Sequence, residues 1–274
     1  MTIQQKYQSL TTILRNLGKV VVAYSGGVDS TLLLKAAVDV LGSENVLACI
    51  ANGPALPQGQ YRRAIEMAKS IGIDVQTVES NELDDTAYTA NKADRCFHCK
   101  SHLYRILTDI AKDRGGNNVI CGHNFDDNRD YRPGHQAAVD FGVHSPLMEA
   151  RLTKDDIRQL SRQLNLTTAD IPASPCLASR ISYGLEITPQ RLKQVEDAEE
   201  FLRRLGLVEF RVRHHDTIAR LEVHPKDMKK ILSEKKRSAI VEKFKSLGFK
   251  FVTVDLQGFR SGSMNELLSE EQKD

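Results

Sequence analysis

Residues 22–33 read VAYSGGVDSTLL, in which the segment SGGVDS, residues 25–30, lies between an aliphatic run and the first turn of a predicted helix. Its two glycines allow a positive φ and let an anion approach the backbone N–H groups without interference from a Cβ atom. The two serine hydroxyls add hydrogen-bond donors, and the dipole of the following helix directs its positive end to the same place. The sequence therefore predicts a phosphate-binding turn.

This turn differs from two common phosphate-binding loops, because it lacks the lysine and spacing of a Walker A loop and the third glycine of a Rossmann fingerprint. A Ser-Gly-Gly-x-Asp-Ser segment after a first strand instead resembles the PP-loop of the ATP pyrophosphatase superfamily. The resemblance implies that the loop binds the pyrophosphate released when ATP adenylylates a substrate, and that Asp29 helps to place Mg²⁺. The alternative is a strand-to-helix turn that only requires small residues.

The first half of the chain alternates β-rich runs with helical patterns. The predicted strands are residues 19–24, 45–51, 74–79 and 118–122, and the predicted helices between them are residues 30–41, 58–71 and 98–114. A further helix is predicted after Thr153, which is a plausible N-cap. This alternation is typical of an α/β fold with a parallel sheet flanked by helices on both faces. The PP-loop resemblance implies an adenine nucleotide alpha hydrolase-like fold.

The alternation stops near residue 165, which divides the chain into three predicted regions. Residues 1–165 form the PP-loop domain, residues 166–187 form a linker loop that carries Cys176, and residues 188–274 form a small α+β domain for substrate binding or oligomerisation. The last region contains a helix at 188–205, strands at 209–215, 218–223 and 249–256, and one or two helices within 225–247.

Composition excludes several classes of protein. A length of 274 residues, 27% charged residues and a formal charge of +2 describe an ordinary globular protein, so we expect no nucleic-acid partner. No apolar run approaches the roughly 18 residues of a membrane span, so we expect no membrane partner. Residues 1–20 predict an amphipathic helix rather than a signal peptide, and we expect a cytoplasmic protein.

Three of the five cysteines form a possible sulfur or metal site. Cys96 and Cys99 are spaced to lie on one face of a helix near its N-terminus, where thiolates are favoured, and Cys176 lies in the segment ASPCLASRISYG. These thiols could ligate zinc together with His98 or His102, or hold three corners of a 4Fe-4S cluster. The alternative is that they are unrelated. Cys49 and Cys121 lie in aliphatic strands and are predicted to be small core residues.

A closer resemblance extends over nearly the whole chain. The segments AYSGGVDSTLLLK, NRDYRPG, CLASRISYG, RVRHHDTIARLEV and DLQGFRSGSMNE together resemble the LarE family, PP-loop sulfurtransferases that build the nickel-pincer nucleotide cofactor of lactate racemase. The resemblance implies ATP-dependent adenylylation of a carboxylate of pyridinium-3,5-biscarboxylic acid mononucleotide, followed by sulfur insertion. Some members sacrifice the sulfur of a single cysteine at the position of Cys176, whereas others carry an additional C-x-x-C and are thought to use a 4Fe-4S cluster. Cys96, Cys99 and Cys176 together favour the cluster type.

The segment after the fourth predicted strand, GHNFDDNRDYRPG, lies at the edge of the sheet where open α/β folds bind ligands. We expect its carboxylates near Mg²⁺ and Arg132 near a phosphate or the substrate carboxylate, although a solvated polar loop is the alternative. The ATP-binding residues expected overall are Ala23, Ser25, Gly26, Gly27, Asp29, Ser30, Ala51, Asn124 and Asp127, with Asp130 and Arg132 assigned to the substrate.

The remaining predicted site residues lie in the second half of the chain. The family resemblance implies active-site roles for Ser179 and Arg180, metal-binding roles for Glu199 and Glu222, and a homo-oligomer. Period-two geometry places Arg211 and Arg213 on one face of a strand, where they could bind a nucleotide monophosphate or meet a partner subunit. Arg260 and Ser261 are predicted to complete the substrate site. A charged surface is the alternative for the two glutamates.

Two other functions compete with sulfur transfer. An amidating synthetase would leave the three cysteines without a role, and a tRNA thiolase would require a broad basic surface that a formal charge of +2 does not provide. A regulatory module that binds nucleotide without turnover is the candidate from a different class.

Overall fold

The computed structural model describes residues 1–129, 134–172, 175–260 and 262–267. Its chain divides into two compact units. The first comprises Met1–Glu82 and Cys96–Ser174, and the second comprises Leu83–Arg95 and Pro175–Asp274. In the described part of the chain, no helix combines the length and the apolar character needed to cross a membrane.

Strands and helices follow one another along the chain. The strands are β1 (Val20–Ala23), β2 (Val46–Asn52), β3 (Val75–Glu79), β4 (Asn118–Cys121), β5 (Phe210–His215), β6 (Ile218–Val223) and β7 (Phe251–Val254). The helices are α1 (Ile3–Leu17), α2 (Val28–Leu41), α3 (Gln58–Ile71), α4 (Thr86–Thr89), α5 (Arg95–Asp113), α6 (Gly134–Asp140), α7 (Pro146–Glu149), α8 (Lys154–Gln163), α9 (Pro189–Arg204), α10 (Pro225–Leu232) and α11 (Glu234–Ser246).

The first unit is built on a four-stranded sheet in the order β3-β2-β1-β4. Every pairing in it is parallel, with Val20 opposite Val46 on one side and Asn118 on the other. The carboxyl ends of all four strands therefore meet at one edge of the sheet. The predicted α/β fold with a parallel sheet is confirmed.

Helices cover both faces of this sheet because the side chains of β1 alternate between two cores. Val20 and Val22 pack in a core with residues of α1, α2 and α8, whereas Val21 packs with Tyr104 and Leu107 of α5. The predicted apolar side of α1 is also present, with Leu10 fully buried in the first of these cores. A strand buried on both faces is typical of parallel sheets, and it explains the continuous aliphatic run before the PP-loop.

The second unit contains a three-stranded sheet in the order β5-β6-β7. Strands β5 and β6 are antiparallel neighbours, whereas β7 lies parallel to β6. A parallel pair requires a crossover connection, which α10 and α11 supply. The core between sheet and helices consists largely of aliphatic and aromatic side chains, among them Leu202, Phe210, Val212, Leu221, Phe244 and Phe249.

Residues 83–95 belong to the second unit, although the strand–helix alternation groups them with residues 1–165. Asn91 explains this placement. Its side chain is fully buried, and its amide nitrogen donates hydrogen bonds to the carbonyls of Ser182 and Leu185 at 2.8 and 2.9 Å and to that of Ile181 at 3.3 Å. One amide therefore satisfies three carbonyl groups of the segment that follows Cys176.

We expect Asn91→Ala to lower the free energy of unfolding by about 2–4 kcal/mol, because it leaves buried carbonyl groups without donors and places alanine at a positive φ. Asn165→Ala is the matched control. Asn165 also has a positive φ, of 55°, but its side chain is exposed, so this variant measures the backbone effect alone. Urea unfolding of both variants checks the prediction, and equal losses would contradict a stabilising role for the Asn91 amide.

Candidate functional site

The PP-loop joins β1 to α2 and requires glycine at position 26 for two reasons. Gly26 has a φ of +71°, and a Cβ atom built there would lie 2.4 Å from the Cβ of Ala64 in α3. The Ser25 and Ser30 hydroxyl oxygens lie 3.0 Å apart, and the Ser25 N–H donates to Ser30 Oγ at 3.2 Å. Gly27 caps α2 without a side chain, which leaves the helix N-terminus open to an anion.

The end of β4 packs directly against this loop. A Cβ atom at Gly122 would lie 2.9 Å from the backbone nitrogen of Ser30. Beyond it, Asn124 and Asp127 are buried, and the Asn124 N–H donates to Asp127 Oδ2 at 3.0 Å. These two predicted residues therefore do not belong to a solvated polar loop.

The other residues predicted for this unit are placed as follows. Ala23 ends β1 between Cys49 and Cys121 of the neighbouring strands, and Ala51 lies near the end of β2 opposite Val78. Both alanines are therefore at the carboxyl edge of the sheet. Asp130 and Arg132 lie outside the described residues.

Asp29 lies in the first turn of α2, and its carboxylate is paired with the ammonium of Lys154 through Oδ2. Its other oxygen, Oδ1, is buried and accepts no hydrogen bond within the described residues. Burial raises the pKa of Asp29 above its ordinary value, the Lys154 cation lowers it, and the Asp127 carboxylate raises it further. A buried oxygen without a donor, beside a second carboxylate, fits a Mg²⁺ ligand.

Two residues near the loop were not predicted from the sequence. Lys154 is the first residue of α8, and Gln60 of α3 donates from Nε2 to the Ser25 carbonyl at 3.2 Å. Gln60 Oε1 is buried and has no hydrogen-bond partner among the described residues. No local pattern indicates either residue, because Lys154 lies far along the chain from the end of β4 and the approach of Gln60 depends on how α3 packs on the loop.

In the second unit, a buried ion pair holds the segment that carries Cys176. Arg180 is 1% exposed, and its Nε donates to Glu199 Oε1 at 3.0 Å. One of its terminal nitrogens also donates to the carbonyl of Cys176 at 3.1 Å and to the Ser179 hydroxyl at 3.0 Å. Arg180 therefore holds the Cys176 backbone and the Ser179 side chain together.

A second buried pair supports the same segment. Arg213 donates to Glu222 Oε2 at 2.8 Å and to the Ser179 carbonyl at 3.1 Å. Glu222 is fully buried and also accepts a hydrogen bond from the Ser263 hydroxyl at 2.7 Å. Glu199 and Glu222 thus lie in a buried arginine–glutamate cluster rather than on a charged surface, and their metal-binding role stays a prediction.

Arg211 lies beside this cluster, where the charges of Arg180, Glu199, Arg213 and Glu222 all act on it. Burial and the neighbouring Arg180 cation lower the pKa of Arg211 to about 10. Its guanidinium lies 4.9 Å from the ring centroid of Phe259, an arrangement that orients the group. Such a cationic group is suited to binding an anion.

The last two predicted residues lie close to the chain's C-terminal end. Arg260 donates to Glu266 at 3.2 Å and lies 3.7 Å from an oxygen of Asp255. Ser261 lies outside the described residues.

The five cysteines differ in their accessibility to solvent. Cys96 is exposed and Cys99 half-buried near the start of α5, and Cys176 is half-buried at the start of a 3₁₀ turn. Cys49 and Cys121 are buried, and burial raises the pKa of Cys49 to about 11. The three cysteines predicted to take part in sulfur chemistry are therefore the more accessible ones.

These three thiols have the ligand type of an iron–sulfur site. Over the described ranges, however, no group of three or more His, Cys, Asp or Glu side chains is arranged to hold a metal ion.

We expect the Arg180–Glu199 ion pair to be required for stability, because both side chains are buried. Glu199→Gln leaves a buried guanidinium without its counter-ion, so we expect it to lower the free energy of unfolding by about 3–5 kcal/mol. Glu200→Gln on the same helix is the control, because Glu200 pairs with Arg203 and Arg204 at the surface and should change stability by less than about 0.5 kcal/mol. Denaturant unfolding measures both, and similar values for the two variants would contradict the structural role of Glu199.

Comparison with known proteins identifies relatives of this chain. A profile of the NAD synthase family matches residues 3–103, the part that contains the PP-loop. A protein of Synechocystis, named only as uncharacterised, is 43% identical over 97% of this chain and 99% of its own length. A second such protein, from Methanocaldococcus jannaschii, is 32% identical over 89% of this chain and 91% of its own.

A third relative carries a functional name. Pyridinium-3,5-bisthiocarboxylic acid mononucleotide synthase of Lactiplantibacillus plantarum is 39% identical over 99% of this chain and 98% of its own length. Similarity of this extent covers both units, the PP-loop and the segment that carries Cys176. The chain therefore belongs to the LarE family of ATP-dependent enzymes, within the PP-loop ATP pyrophosphatase superfamily.

Proposed function

We propose that the protein transfers sulfur to pyridinium-3,5-biscarboxylic acid mononucleotide at the expense of ATP. A substrate carboxylate oxygen attacks the α-phosphorus of ATP and pyrophosphate leaves; a sulfur nucleophile then attacks the acyl carbon, and AMP leaves with the carboxylate oxygen. The observation that carries the proposal is the 39% identity, over nearly the whole chain, to the synthase of Lactiplantibacillus plantarum. The adenylylation step is needed because a carboxylate is a poor electrophile, and adenylylation gives it a good leaving group.

The PP-loop and the end of β4 are proposed to perform the ATP step. Ser25, Gly26, Gly27 and Ser30 surround the open N-terminus of α2, where backbone N–H groups and the helix dipole stabilise phosphate charge. Asp29 is proposed to bind Mg²⁺ through its unpaired oxygen, with Asn124, Asp127, Ala23 and Ala51 completing the nucleotide site. Bound Mg²⁺ would offset the charge of the phosphates.

The arginine–glutamate cluster is proposed to bind the substrate. Arg211 and Arg213 would hold the phosphate of the mononucleotide, and Ser179 and Arg180 would orient the segment that carries Cys176. Asp130, Arg132, Arg260 and Ser261 remain proposed substrate residues. The lowered pKa of Arg211 is consistent with this role, because a bound anion would oppose the effects of burial and of the neighbouring arginine cations on the guanidinium.

For the sulfur source, we propose a 4Fe-4S cluster on Cys96, Cys99 and Cys176, whose open iron would carry the sulfide. The three thiols are accessible, whereas Cys49 and Cys121 are not. The alternative is that Cys176 surrenders its own sulfur. The family resemblance also supports a homo-oligomer.

The ATP step is tested by exchange of radiolabelled pyrophosphate into ATP. Wild-type protein should show exchange that depends on the pyridinium substrate, and Asp29→Asn should lower the rate by about 100-fold or more. Asp39→Asn is the control, because Asp39 lies on the same helix and pairs with Lys35 at the surface. Nucleotide binding without exchange would instead support a regulatory module, and product formation that requires ammonia would support an amidating synthetase.

The sulfur source is tested by anaerobic purification with analysis of absorbance, iron and sulfide. Cys96→Ala, Cys99→Ala and Cys176→Ala should each lose the iron–sulfur absorbance, whereas Cys49→Ala should retain it because that thiol is buried. An iron-free wild type that loses about 34 Da at Cys176 during turnover, the mass of hydrogen sulfide, would establish the sacrificial route and contradict the cluster.

A further inference from the structure

The PP-loop has no lysine of its own, but a lysine from a distant part of the chain reaches it. Lys154, 125 residues after Asp29, places its ammonium against Asp29 Oδ2. Because phosphate-binding loops commonly use a lysine as a point charge, this contact raises the question of what the ammonium does when ATP is bound.

The backbone of Lys154 is held in place by several contacts. Its N–H donates to Asp126 Oδ2 at 2.8 Å, which ties the start of α8 to the segment after β4. The preceding Thr153 forms a capping box with Asp156. Ile157 and Leu160 of α8 are buried in the core that also contains the apolar side chains of α2. The origin of the side chain is therefore fixed relative to the PP-loop.

The ammonium itself is less constrained. The Lys154 side chain is 38% exposed, and a lysine has a flexible stem of four carbons. It can exchange one anionic partner for another near the same point without movement of α8.

The surroundings of the Asp29 carboxylate would favour exchange of the Lys154 ammonium from Asp29 to a phosphate. One oxygen pairs with Lys154 and the other is buried without a hydrogen bond in the described part of the chain. Asp127 adds a second negative charge that acts on Asp29. A divalent cation bound by this carboxylate would repel the ammonium, while the phosphates of ATP would attract it.

We propose that Lys154 pairs with Asp29 when the site is empty and with a phosphate oxygen of ATP when Mg²⁺ and the nucleotide are bound. Helix α8 thereby supplies, from outside the loop, the cation that other phosphate-binding loops carry within it. The inference rests on the proposed function only for the binding of Mg-ATP at the PP-loop, and not for the pyridinium substrate or the sulfur source.

The test compares two affinities in Lys154→Met with those in wild-type protein. Binding of Mn²⁺ without nucleotide, measured by electron paramagnetic resonance, should become about tenfold tighter, because the cation that competes for Asp29 is removed. Binding of Mg-ATP, measured by calorimetry, should weaken by about 10- to 100-fold, because a charged contact to phosphate is lost. Lys154→Arg keeps the charge and should weaken Mg-ATP binding less.

Lys35→Met is the matched control, because Lys35 pairs with Asp39 on α2 and should leave both affinities unchanged. Thermal unfolding verifies that each variant is folded, and Lys154→Gln replaces the methionine variant if the latter is not. Unchanged affinities in the folded neutral variant overturn the proposal, as does a wild type that binds no Mg-ATP. If wild type binds Mg-ATP but exchanges no pyrophosphate, the proposed function fails, and the two affinities still decide the role of Lys154.

Discussion

The close approach of Gly26 to Ala64 is the contact on which the nucleotide site depends. Helix α3 packs so closely on the PP-loop that there is no room for a Cβ atom at Gly26, and the loop also has a positive φ at this residue. Tyr24 reinforces the arrangement from the preceding position, since its buried hydroxyl donates to the Ala64 carbonyl at 3.0 Å. The loop is thereby shaped before any ligand binds, which avoids an ordering cost on binding.

In the second unit, the segment that carries Cys176 is also held in one conformation, but by buried ion pairs. There the segment around Cys176 has little regular structure, and buried charges hold it instead of close packing. Arg180 and Arg213 each satisfy one glutamate and one or more backbone oxygens of this segment. Buried ion pairs contribute little net stability compared with apolar packing, but their directional hydrogen bonds define a single backbone conformation.

The sequence predicted the features that depend on local pattern. Aliphatic runs and glycine spacing were sufficient for the parallel sheet, the PP-loop and the separation of accessible from buried cysteines. Charged residues were harder to place, because a glutamate on a helix has the same pattern whether it faces solvent or a buried arginine, as Glu199 and Glu200 illustrate. Lys154 and Gln60 could not be assigned, because their approach to the loop depends on how α8 and α3 pack in three dimensions.

The placement of residues 83–95 has a consequence for how the protein is made. The second unit is discontinuous along the chain, so its Asn91 leaves the ribosome long before the carbonyl groups of residues 181–185 that it satisfies. Residues 83–95 are therefore without these hydrogen-bond partners while residues 96–174 of the first unit are synthesised. Division of the chain at one position therefore cannot give two fragments that each contain one complete unit. A fragment that begins at residue 175 lacks the buried Asn91 of the second unit.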